Sequence, residues 1–152
     1  TIGTGMTQVT LEMLRRWEIS EEELHQLAEV NTPVLLPEKW LSLGEAADQT
    51  DSTPADAFYV LSNEESFYGA AAILYSKHLS ETARKLGKDL LVLPTSVHEM
   101  IVIPEGEQPI GILTQLFREL LVSESRPEDV LSRSIYRLDH VTGDFSIAAH
   151  SD

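Results

Sequence analysis

The stretch "DLLVLPTSVHEMIVIPEG", residues 89–106, decides the fold. Two short apolar runs, "DLLVLP" and "EMIVIP", each end in proline and read as buried central strands. At most the five residues "TSVHE" separate them, a length that suits a hairpin and not a crossover. The centre of the sheet is therefore expected to be antiparallel.

Working outward, "IGILTQLFRELLVSES" places Ile110, Leu113, Leu116, Phe117, Leu120 and Leu121 at helical spacing. "SRPED" repeats a capping-box spacing through Ser125 and Glu128, with Pro127 in the first turn, and predicts a further helix. "SIYRLDHVTGDFSIAA" predicts a last hairpin turning at Thr142, Gly143 and Asp144. On the other side, "SKHLSETARKLGK" predicts a helix capped by Ser76 and ended by Gly87, with Leu79, Ala83 and Leu86 on one face. "AFYVLS", 57–62, reads as a strand, "NEESFY" as a turn and "GAAAILY" as the returning strand. Gly69 and the three alanines after it are poor strand formers, and their small side chains allow a close approach to the sheet. A single glycine there does not make a phosphate loop.

Farther upstream, "ISEEELHQLAEVNTP" carries a capping box from Ser20 to Glu23 and apolar residues at Leu24, Leu27 and Ala28. Pro33 is expected to stop this helix. "TLEMLRRW" predicts a shorter helix before it, and the acidic "GEAADQTDSTPAD", 44–56, a surface loop. The expected architecture is α+β: an antiparallel-dominated sheet of paired hairpins (57–152), helices packed on one face, and a helical N-terminal part (1–56), together forming one compact unit.

The 152 residues suffice to bury a core of ordinary size, and the chain has no cysteine, so disulfides and thiolate chemistry are excluded. No apolar run reaches the roughly 20 residues of a membrane span, and no basic-then-apolar leader opens the chain. A cytoplasmic location is expected. The opening "TIGTG" reads poorly as the start of a fold, so the chain is expected to be a C-terminal fragment of a longer protein. Acidic residues outnumber basic ones 25 to 11, for a net charge of −14. From Trp17 to Asp56 ten acids stand against one base, Lys39. Such a surface repels phosphate backbones, so direct nucleic-acid binding is not expected.

The polar corner between the central strands holds the candidate chemistry. Ser96 and His98 alternate onto one side of an extended segment, a serine and a base together, with Glu99 or Asp139 available to orient the imidazole. The pair is very local for a triad, and no G-x-S-x-G surrounds Ser96. The competing reading has Thr95, Ser96 and His98 bonding the bend. "HEMIV" lacks the second histidine of a zinc-protease motif, since Val102 stands there, so no metal site is expected. A site joining His98, Glu99, Asp139 and His140 requires the two hairpins to abut. Tyr59, Tyr68 and Tyr75 read as core or sheet surface.

"WEISEEELHQLAEVNTPVLLP" and the run from "YVLSNEESFYGAAAILY" to "LPTSVHEMIVIPEG" resemble the bacterial domain-of-unknown-function family 5688. That family carries a similar "GAA-x-ILY" segment and a segment close to "LP-S-S-x-HE-x-I-x-x-P"; Thr95 stands here where serine is common. The resemblance covers roughly residues 10–140. It implies a cytosolic protein of gut-type Gram-positive bacteria, usually longer at its N-terminus, and transfers no catalytic role.

The leading expectation is a non-enzymatic binding or interaction module without cofactor, whose partner is another protein or the missing N-terminal region, with no role at membranes. The alternative is a small hydrolase using Ser96 and His98, with Glu99 or Asp139 orienting. The third reading is an acidic DNA mimic that inhibits a nucleic-acid-binding protein.

Overall fold

The computed structural model describes residues 7–43, 58–106 and 108–151; the acidic stretch 44–56, expected as a loop, lies outside them. The chain divides into two compact units, Thr1–Leu35 and Leu36–Asp152.

The first unit carries α1 (Leu11–Trp17) and α2 (Glu21–Leu35). Thr10 Oγ1 accepts the Met13 N–H at 3.3 Å and caps α1, which Glu18 ends in the left-handed region (φ 56°). The capping box of α2 forms in full: Ser20 N–H donates to Glu23 Oε2 at 2.8 Å and Glu23 N–H to Ser20 Oγ at 3.1 Å. Pro33 does not stop the helix as expected; α2 runs through it to Leu35. A proline this close to the C-terminus removes one ladder bond, and the helix ends two residues later.

The second unit is built on a six-stranded sheet: β1 (Glu38–Leu43), β2 (Phe58–Asn63), β3 (Leu90–Leu93), β4 (Met100–Pro104), β5 (Ser134–Leu138) and β6 (Phe145–His150). Their order is β1-β2-β4-β3-β5-β6, and every pairing is antiparallel. The central hairpin is the expected one, with Leu90 opposite Pro104 and Leu93 opposite Ile101. The last hairpin, β5–β6, also forms, with an irregularity between Ile135 and Tyr136.

Alternation along β3 builds two cores. Leu90 and Val92 face a cluster with Leu61, Val102, Leu79 and Ala83, covered by α3 (Lys77–Leu86). Leu91 and Leu93 face Leu113, Phe117 and Leu121 of α4 (Ile110–Ser123). The α+β class and the antiparallel sheet are as expected, but helices cover both faces and not one. Four fully buried residues in a row, Leu90–Leu93, require cover on both sides.

Three other elements differ from expectation. "GAAAIL" forms a 3₁₀ helix (Gly69–Leu74), not a returning strand. Both neighbours of β2 are already taken, by β1 and β4, so no edge remains for it. Its small residues press onto the sheet instead, with Ala70 and Ala72 fully buried. "SRPED" gives only a 3₁₀ turn, Pro127–Asp129, because the Ser125 hydroxyl donates to Thr95 O rather than capping a helix. The sheet also begins earlier than expected. β1 comes from residues assigned to the helical part and pairs with all of β2, Glu38 opposite Asn63 through Leu43 opposite Phe58.

Glu38 joins this edge strand to α3. Its carboxylate accepts the Lys77 N–H at 3.0 Å, lies 2.9 Å from His78 Nδ1, and receives the hydroxyl of the N-cap Ser76. Burial pushes its carboxyl up, but the bonds from Ser76, Lys77 and His78 outweigh this and hold it below its ordinary value of 4.5. A depressed carboxyl contributes stability above its unfolded value that is lost as pH falls through the folded value. Glu38→Gln should therefore cost about 1 kcal/mol at neutral pH. Denaturant unfolding across acid pH should show that gap closing as the wild-type carboxylate takes up its proton.

Candidate functional site

The corner between β3 and β4 is a junction of three segments. Its anchor is Asn63, 1% exposed, at the end of β2. The Asn63 carboxamide brackets the next turn: Nδ2 donates to Phe67 O at 2.7 Å and Oδ1 accepts the Phe67 N–H at 3.1 Å. Within that turn Ser66 (φ 53°) and Tyr68 (φ 52°) are left-handed, an uncommon conformation for side chains of this size. Gly69 follows because nothing larger fits. A Cβ there would lie 2.1 Å from Ser62 Oγ, 2.5 Å from His98 O and 2.7 Å from Asn63 N.

The segment 95–99 packs against this turn. Ser62 Oγ donates to His98 O at 2.7 Å, and Ala70 N–H to Val97 O at 3.2 Å. Val97 N–H donates to Asp129 O at 2.8 Å, which brings in the third segment. Thr95 Oγ1 donates to Glu99 O at 3.2 Å, and the Ser96 N–H donates to the same oxygen at 3.3 Å. These bonds make a tight bend.

His98 is locked from both sides. Its Nδ1 accepts the backbone N–H of Tyr68 at 2.9 Å. That nitrogen cannot carry a proton in the neutral ring, so the proton sits on Nε2. Nε2 faces Asp129 Oδ1 at 3.5 Å, a looser approach than an ordinary hydrogen bond. The ring stacks on Phe67 (centroids 5.9 Å) and meets Tyr68 edge-on (5.1 Å). Phe67 and Tyr68 touch edge to face at 4.9 Å.

Ser96, His98 and Glu99 thus share the corner, but the imagined nucleophile and base do not meet. Ser96 Oγ accepts the backbone N–H of His98 at 3.0 Å, while the imidazole is held by Tyr68 and Asp129. The Glu99 side chain is exposed. Asp129 is the residue that sequence reasoning missed. It lay in the segment read as a helix start, where an acidic residue signals only a favourable dipole.

Asp139 and His140 are not part of this junction. β5 runs antiparallel to β3 with Leu138 opposite Leu90, so they sit at the end of β3 remote from the corner. There His140 donates its backbone N–H to Asp89 Oδ1 at 2.9 Å and holds its ring Nδ1 2.6 Å from the same oxygen. The ring bond and then the backbone bond from His140 hold the Asp89 carboxyl below its ordinary value. Asp139 Oδ1 accepts the N–H groups of Thr142 and Val141 at 2.8 Å each, which lowers its carboxyl as well. Asp89, Asp139 and His140 bring their ligand-type atoms within 4.8 Å of one another. Their bonds to each other and to the turn account for that closeness as a clasp on the β5–β6 hairpin.

Of the acidic run at 17–56, the residues from Glu45 to Asp56 lie outside the described part. No described helix is long and apolar enough to cross a membrane.

A six-stranded antiparallel sheet with helices on both faces, and a histidine corner built into its central hairpin, define an α+β protein. The chain belongs to the Family of unknown function (DUF5688), whose model matches residues 1–140. No curated protein and no solved structure matched it.

Proposed function

We propose that this chain is a non-enzymatic binding module, with the junction around His98 as its recognition surface. One observation carries the reading: the imidazole is spent on the fold. A general base must reach the proton it removes. The lone pair of His98 is occupied by the Tyr68 N–H, and its protonated nitrogen faces Asp129. The Ser96 hydroxyl accepts the backbone N–H of His98, while the imidazole is held elsewhere. What the junction offers to solvent instead is a pair of rings in mutual edge-to-face contact, Phe67 and Tyr68, about half exposed. Rigid aromatic side chains give contact area at little entropic cost.

The test has two arms on the whole chain. A displayed library of extended peptides should enrich a motif whose binding is lost in Phe67→Ala. Panels of ester, amide and phosphoester substrates should show no turnover above buffer. Turnover abolished in a folded His98→Gln variant would contradict the proposal and favour the hydrolase.

A further inference from the structure

We infer that the surface presented by this junction receives a cation, the guanidinium of an arginine carried on an extended segment of a partner protein. The inference rests on the binding reading above and adds the partner's chemistry.

Two independent features point the same way. The first is the rings. Phe67 and Tyr68 are 44% and 47% exposed, and the Asn63 bracket with two left-handed residues fixes how they are presented. An aromatic face held in place attracts a cation through its quadrupole, and arginine also stacks on it. The second is charge. The three segments that meet here carry Glu64, Glu65, Glu99, Glu128 and Asp129 against a single lysine or arginine, Arg126, and the imidazole of His98.

Arg126 shows what these carboxylates accept. Its guanidinium lies 3.3 Å from Asp129 Oδ2 and 3.8 Å from Glu128 Oε1, and its side chain is 76% exposed. The other oxygen of Asp129 faces His98, which stacks on Phe67. A guanidinium from outside would therefore find a carboxylate and an aromatic face on one junction. Arg126 would be its competitor for Asp129. A second copy of this chain suits the surface poorly, since each copy carries a net charge of −14.

The experiment measures fluorescence anisotropy of labelled Gly-Arg and Gly-Lys repeat peptides of equal length against the full chain, at about physiological ionic strength. The arginine peptide should bind about fivefold more tightly than the lysine peptide. Phe67→Leu, confirmed by unchanged thermal unfolding, should abolish that preference. Arg126→Gln should tighten the arginine peptide by removing the competitor. Equal affinity for the two peptides, or a preference untouched by Phe67→Leu, overturns the inference. The binding reading falls separately, if corner substitutions leave library-selected peptides bound as before.

Discussion

Gly69→Ala should be the most damaging single substitution at the junction, costing about 3–5 kcal/mol. The new methyl group would overlap Ser62 Oγ, His98 O and Asn63 N at 2.1, 2.5 and 2.7 Å. Ser62 can rotate away, but only by giving up its bond to His98 O. The other two atoms are backbone, one at the end of β2 and one in the corner, and moving either opens the junction. For a chain of this size the loss corresponds to a fall in Tm on the order of 10 °C. Thermal and denaturant unfolding would read it directly. A variant within about 1 kcal/mol of wild type would mean that the 3₁₀ helix does not lie this close to β2.

Phe117→Ala should be comparable, at about 3–5 kcal/mol, because it removes the largest fully buried side chain from the core beneath α4. Phe117 is packed with Leu91, Leu93 and Ile135 at the middle of the sheet, where strands covered on both faces leave little room to relax. The neighbouring Leu116 is the control. It is 43% exposed on the outer side of α4, and its replacement by alanine should cost about 0.5 kcal/mol or less. Equal losses at the two positions would contradict the placement of α4 on the sheet.

The central hairpin, α4 and the last hairpin were legible because each is a local pattern: an apolar run, a helical period, a turn residue flanked by strands. Ser76 and Gly87 marked the limits of α3 for the same reason. What failed depended on distant neighbours. The segment after Tyr68 could not form a strand because β1 and β4 already flank β2, a fact set by residues 38–43 and 100–104. The reading of one covered face failed because a run such as "LLVL" shows that both sides are buried without showing by what. The corner was partly legible. Ser96, His98 and Glu99 do lie together, and the alternative reading of Thr95 and Ser96 as bend-forming residues describes their bonds. The Tyr68 N–H and Asp129 that hold the imidazole lie about thirty residues away on either side, and no spacing rule links them to His98.

The lock on His98 can be read from its tautomer. Long-range ¹H–¹⁵N correlation spectra at neutral pH should show the Nε2-protonated ring, with Nδ1 unprotonated and accepting, and hydrogen exchange should find the Tyr68 amide strongly protected. An Nδ1-protonated ring, or a Tyr68 amide that exchanges as fast as those of open loops, would contradict the structural role assigned to this histidine and return it to the list of candidate bases.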